Sequence, residues 1–218
     1  MPVGPPPPNY NGDPHIATMA AGLYYRVHRN NYPATGFNPT NADVVFGGGR
    51  FDSTVLDPYA YMYLGETYAT GVAEALLRDL TANDRGYRFL PKKTWRERSL
   101  TTVSLTTPLD VVDLRSGVAL GAIGADPALT GCDSDEYPQT RSWARWLRTI
   151  APTAAGIVWM SKREPMTECM VLFADRCPAG AIAGCPPGVG EDHDFSTADG
   201  SEWLRGHLAQ YRVSIKRT

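Results

Sequence analysis

An α+β fold is predicted from three observations. Segments that read as strands outnumber those that read as helices, their spacing is irregular, and no regular β–α alternation runs through them. The 218 residues suffice for one large domain whose core needs no disulfide support. Residues 1–20 open with Met-Pro-Val-Gly and four prolines, and they read as a flexible Pro-rich arm. The folded domain is expected over residues 21–218.

The first strand is expected at residues 22–29, which are rich in aromatic and β-branched side chains. Residues 30–43 are dense in Asn, Pro, Gly and Thr and form a loop long enough to be functional. A glycine triplet, Gly47, Gly48 and Gly49, then leads into Arg50. Asp57-Pro58 marks a turn before a short strand at residues 60–64. Thr67 suits the N-cap of the next helix, whose apolar face carries Ala69, Val72, Ala73, Leu76, Leu77 and Leu80. Glu74 lies on the flank of that stripe and is free to face solvent or a cleft. Residues 83–86 end the helix.

Strands follow at residues 98–105 and 109–114, separated by a Thr-Thr-Pro turn, and residues 127–135 form a loop. A helix over residues 140–150 buries Trp143, Trp146 and Leu147. Residues 156–161 read as a buried strand and residues 170–173 as another. Residues 177–194 have the Gly/Pro/Ala composition of an inserted loop. A helix at 201–211 and a strand at 211–215 complete the chain.

Composition narrows the function. The net charge of −2 gives no sign of a nucleic-acid or acidic-membrane partner, and neither is expected. No apolar run reaches membrane-spanning length, and the N-terminus has neither the basic nor the apolar region of a secretory signal. The expected compartment is the cytoplasm. Cys132, Cys169, Cys177 and Cys185 make no Cys-x-x-Cys pair, and His15, His28, His193 and His207 are scattered, so no metal is expected. Cys177 and Cys185 flank one loop and could approach each other, but free thiols are the expectation for a cytosolic chain.

The residues that could carry chemistry are few. Consecutive glycines admit positive φ and close backbone approach, and the adjoining Arg50 offers a planar fork matched to phosphate oxygens. The same residues also fit an ordinary turn with a surface arginine, and they match neither the Walker loop nor the dinucleotide fingerprint. Tyr63 ends a strand, where its ring either stacks on a flat ligand or fills core. Glu66 and Glu74 raise the possibility of a glycosidase pair. Glu66, however, also suits the helix dipole, and a lone helical Glu74 also suits solvent. Ser161 ends a buried strand without a nucleophile elbow or a nearby histidine. Arg26 alternates inward on the first strand, where it would need an anionic partner.

The order of these residues resembles the RES domain family, toxin components of bacterial RES–Xre toxin–antitoxin pairs. The resemblance is carried by Tyr25-Arg26-Val27, Gly49-Arg50-Phe51-Asp52, Tyr63-Leu64-Gly65-Glu66-Thr67 with Ala73-Glu74, and the run from Gly156 to Arg163. It covers roughly residues 23–173, and Gly65 departs from the alanine common in the family. The resemblance implies an ADP-ribosyltransferase-like fold of two packed, mainly antiparallel sheets with flanking helices. It implies cleavage of the nicotinamide–ribose bond of NAD as substrate, with water, phosphate or a protein as acceptor, and an Xre-type antitoxin as partner. By match of position, Arg50, Tyr63 and Glu74 form the catalytic set, while Arg26, Gly49 and Ser161 complete the NAD site. A catalytically silent nucleotide-binding module is the reading from a different class.

Overall fold

The computed structural model describes residues 2–10, 12–44 and 47–215, the side chain of Val44 excepted. The chain opens with β1 (Ile16–Met19), β2 (Gly22–Arg29) and β3 (Tyr61–Gly65). Helix α1 (Tyr68–Val72) runs directly into a π-helical turn over Ala73–Leu77. Then come β4 (Arg88–Phe89), α2 (Lys92–Trp95), β5 (Arg98–Leu105), β6 (Leu109–Asp113), α3 (Gly117–Ala122), α4 (Ala128–Gly131) and α5 (Tyr137–Ile150). The last part holds β7 (Gly156–Met160), β8 (Glu168–Phe173), β9 (Ile182–Gly184), β10 (His193–Asp194), α6 (Ala198–Ala209) and β11 (Val213–Ser214).

Nine strands form one hydrogen-bonded sheet in the order β1-β6-β7-β8-β3-β2-β5-β10, with β9 also on β5. Its pairs are antiparallel except β6 with β7, and β4 and β11 make a separate parallel ribbon. The sheet narrows between β2 and β3 to a single residue pair, Tyr25 with Gly65. On either side the pairing is broad: β2 runs along all of β5, and β3 along β8 from Tyr61 to Gly65. Tyr24, Met62, Leu64, Val103, Leu105, Val158, Met170 and Leu172 meet in one buried cluster. The sheet therefore folds over at the narrow junction, and its halves pack as the two sheets of the expected α+β architecture.

The outer faces carry the helices. Phe51, Tyr61, Trp143, Leu147, Trp159 and Phe173 bury α5 against one half. Val72, Leu76, Trp95, Phe195, Leu204 and Leu208 bury α1 and α6 against the other. The close approach of α1 has a local cause in two glycines. A Cβ on Gly65 would stand 2.6 Å from the Gly71 nitrogen, and one on Gly71 would stand 3.2 Å from the Tyr25 carbonyl oxygen. Thr67 caps α1 as expected, accepting from the Thr70 amide at 3.1 Å.

Three expectations need correction. The helix expected to reach residue 83 ends as the π turn at Leu77. The segment read as an inserted loop at 177–194 contributes β9 and β10, and together with the Asp192 carboxylate, which accepts from the Thr102 amide at 2.8 Å, it covers the β5 edge. The described residues of the Pro-rich arm expected at 1–20 pack against the domain. Residues 16–19 pair with β6 as β1, and Val3 is only 8 % exposed within the α5 core. The Val3 amide donates to Glu136 at 3.1 Å, the Trp143 indole donates to the Gly4 carbonyl at 2.8 Å, and the Tyr10 hydroxyl donates to the Ala122 carbonyl at 3.0 Å. Prolines lack amide donors, but their neighbours supply the anchors.

Removing the first ten residues should therefore cost stability. Exposing the Val3 site and leaving the buried Trp143 N–H unpaired is expected to cost about 2–3 kcal/mol. Calorimetry should show melting lower by roughly 5 °C. An unchanged melting temperature would mean the docked arm contributes nothing.

Candidate active site

The glycine triplet is held from two sides. Asp52, 3 % exposed, accepts from the Gly49 amide at 2.6 Å, from the Tyr61 hydroxyl at 2.8 Å and from the Tyr63 hydroxyl at 2.7 Å. The Phe51 amide donates back to the Tyr63 oxygen at 2.9 Å. From α5, Arg141 donates to the carbonyls of Gly49 and Gly47 at 3.2 and 2.7 Å, and Thr140 donates to the Arg50 carbonyl at 2.5 Å. A Cβ on Gly49 would lie 2.5 Å from both an Asp52 oxygen and the Tyr63 hydroxyl. Gly49 is thus glycine because the protein itself crowds it, and the expected approach of a ligand to this backbone finds the place filled.

Arg50 leaves this turn with its side chain inward, at 3 % exposure. Its Nη1 donates to the carbonyls of Leu129 and Cys132 at 3.3 and 3.4 Å and meets the Cys132 sulfur at 3.0 Å. Its Nε is buried without a partner. The guanidinium stands 5.3 Å from the centre of the Tyr137 ring.

Glu74 lies in the π turn, half-buried. Ser161, just past β7, donates to its Oε1 at 2.7 Å. The Ser161 oxygen in turn accepts from the amides of Arg163 and Glu164 at 3.3 and 3.2 Å. With those donors aimed at its lone pairs, the hydroxyl has one proton to give, and it goes to Glu74. The π turn has a second effect. In an α-helix Glu74 and Arg78 would stack as an i, i+4 ion pair. The wider i→i+5 turn takes Arg78 off that line, and among the described residues no ion pair joins the two.

Tyr137 gathers the charged groups. Burial raises its phenol pKa, Arg78 and Arg50 pull it back, and Asp79 and then Glu74 add to the rise. The neighbouring Cys169 thiol is raised well above its usual range, first by burial and then by Glu74. Burial, followed by the Asp52 charge, also lifts the Tyr63 phenol well above its ordinary value. Tyr63 is therefore a neutral donor whose hydroxyl is already committed, and its ring packs edge-on against Trp159 and Tyr61. A cavity of about 730 Å³ beside Tyr137 and Arg141 is separate from Glu74 and Ser161, which do not line it.

Arg50, Gly49, Tyr63, Glu74 and Ser161 thus lie on one side of the sheet. Arg26 does not join them. It lies on the Tyr24 face of β2, where its Nη1 donates to the carbonyls of Ala34 and Gly36 at 2.5 and 2.9 Å. Burial lowers its pKa to about 10, which leaves it charged at neutral pH. Glu66 is also elsewhere: its Oε2 accepts from the Glu168 amide at 3.0 Å, so it makes no pair with Glu74. Sequence reasoning passed over Asp52, Arg78, Tyr137 and Arg141. Asp52 had a signal, since it stands in the same short motif as Arg50. Arg78 also had one, four residues after Glu74 on the same helix, whereas Tyr137 and Arg141 are joined to the site only by tertiary contact. Among the described residues no group of three or more His, Cys, Asp or Glu side chains is placed to hold a metal, and no helix is long and apolar enough to cross a membrane.

No curated protein matches the sequence. Among solved structures, a chain from the crystal structure of the M. tuberculosis MbcT–MbcA toxin–antitoxin complex is similar, with a TM-score of 0.54 and 18 % identity. The likeness covers 85 % of this chain and 90 % of that one, and at such identity it speaks for the fold. The RES domain pattern matches residues 23–197, most of the chain. That span takes in the glycine turn, Tyr63, Glu74 and Ser161, and the chain belongs to the RES domain family.

Proposed function

We propose that this protein cleaves the nicotinamide–ribose bond of NAD, transfers the ADP-ribose to water or phosphate, and acts in the cytoplasm as a toxin neutralised by an Xre-type antitoxin. The observation that carries the chemistry is the 2.7 Å hydrogen bond from Ser161 to Glu74. It fixes a single carboxylate beside a group of arginines. Membership of the RES domain family and the toxin–antitoxin setting of the solved chain of like fold support the biological half of the reading.

The chemistry needs little. The ribose–nitrogen bond breaks with its electron pair going to the nicotinamide ring nitrogen. The cationic ring therefore leaves neutral and requires no proton. Oxocarbenium character grows on the ribose, and Glu74 is the fixed charge that stabilises it. Ser161 holds that carboxylate aligned, so little reorganisation remains at the moment of reaction. Arg50 binds the diphosphate, and Tyr63 and Gly49 act through the turn that aims Arg50. Water or phosphate adds to the ribose carbon, and the proton released by water passes to solvent.

Nicotinamide release from NAD by the purified protein, with and without phosphate, tests the reading. Labelled NAD separates free ADP-ribose or its phosphate from label on protein, which would instead indicate a protein ADP-ribosyltransferase. Glu74→Gln is expected to lower kcat by roughly 100-fold or more, the scale of losing one well-placed electrostatic group. Turnover near that of the unaltered protein would remove Glu74 from the mechanism. Arg50→Ala should act mainly on NAD affinity, and an unchanged Kd by calorimetry would contradict its role. Asp52→Ala removes the acceptor of three buried donors, of which only the Tyr61 hydroxyl keeps another, the Thr40 carbonyl at 3.2 Å, and should cost about 2–4 kcal/mol in urea unfolding. A loss below about 1 kcal/mol would show that the turn is held by other contacts.

A further inference from the structure

Arg50 and Glu74 leave one nearby cation without a role. Arg78 follows the π turn that carries Glu74, and its guanidinium stands 5.1 Å from the centre of the Tyr137 ring. Arg50 stands 5.3 Å from the same centre. Two like charges against one ring repel unless an anion joins them.

Among the described residues no carboxylate bridges the two. Arg50 donates to main-chain carbonyls and a sulfur, and its buried Nε has no partner. Arg78 gives Nη2 to the Gly48 carbonyl at 2.7 Å. Carbonyls satisfy donors but bring no charge to offset a guanidinium. The acids within reach stand at the rim. Asp79 lies 3.2 Å from the Arg78 Nε with its side chain 46 % exposed, and Asp133 is bound to Lys162 at 71 % exposure. Asp52 is spent on Gly49, Tyr61 and Tyr63, and Glu74 on Ser161.

We propose that Arg78 is the second cation of a diphosphate site, sharing the anion with Arg50 across Tyr137. The inference rests on the reading of this site as one for NAD. A diphosphate carries charge on both phosphoryl groups, and each guanidinium matches one of them. Arg78 touches the diphosphate and not the bond that breaks, so its effect belongs in KM.

Two substitutions separate charge from scaffold. Arg78→Gln keeps a polar side chain on the same stem and drops the charge, whereas Arg78→Lys keeps the charge. Titration calorimetry with inorganic pyrophosphate reads the anion site without NAD, and nicotinamide release from NAD reads the reaction. The unaltered protein should bind pyrophosphate, more weakly as salt rises. Arg78→Gln should lose roughly 10-fold in pyrophosphate affinity and raise KM for NAD by a similar factor, with kcat within about threefold. Arg78→Lys should recover most of that loss. Absence of pyrophosphate binding to the unaltered protein would overturn the proposal. So would unaltered binding by folded Arg78→Gln, or equal losses in the Gln and Lys variants. Arg78-dependent pyrophosphate binding without nicotinamide release would uphold the anion site and overturn the NAD reading instead.

Discussion

The Asp52 carboxylate ties the candidate site to the fold. A buried carboxylate is costly unless several donors meet it, and here three do: the Gly49 amide and the hydroxyls of Tyr61 and Tyr63. Two of those donors come from β3 and the third from the glycine turn. The position of Arg50 is therefore set by the position of a strand in the middle of the sheet. The arrangement leaves no room for a side chain at Gly49, and at Gly48 a Cβ would meet Asp52 on one side and Arg141 on the other, both at 2.8 Å. Helix α5 completes the clamp through Thr140 and Arg141. The docked N-terminal segment packs on α5 in turn, so a stretch far from any chemistry supports the helix that holds the turn.

The carboxylate on the other side of the site depends on a different contact. Glu74 is carried by the helix that packs on the narrow junction of the sheet, and that packing needs glycine at positions 65 and 71. An alanine at 65, common in the family, would require the helix to stand farther off. The π turn then separates Glu74 from Arg78, which in a regular helix would neutralise it. Ser161 reaches the same place from β7, two strands away from β3 across β8. Glu74, Arg50 and Arg78 come together with no ion pair among them, because strand order, helix approach and a widened turn leave Glu74 to Ser161 and Arg78 to the rim carboxylate of Asp79.

Local signals were legible in the sequence. The β2 and β5 spans follow from their aromatic and β-branched content, the Thr67 cap from residue type, and the separation of Glu74 from the apolar stripe from helical periodicity. What composition hid was long-range. Residues 1–20 look mobile because they are rich in proline, yet Val3, Gly4 and Tyr10 find partners more than a hundred positions away. The β9 and β10 strands are too short to show periodicity and exist because β5 offers an edge. Arg78 and Tyr137 lie 59 positions apart in sequence and meet only through the packing of α5 against the turn.

Arg26 shows how a single parity decides chemistry. Side chains on a strand alternate faces, so a one-residue change of register exchanges every assignment. The one pair that joins β2 to β3 sets Tyr25 opposite Gly65, which places Tyr25 on the face of Tyr63 and Arg26 on the face of Met62 and Leu64. No reading of β2 alone could supply that pairing. Had Arg26 been opposite Gly65, it would have faced the helix that bears Glu74. Instead its donors hold the 30–43 loop through Ala34 and Gly36. A second cation for an anion at Arg50 therefore has to come from the helix side of the sheet, where Arg78 stands against the Tyr137 ring with only the exposed Asp79 carboxylate at its Nε.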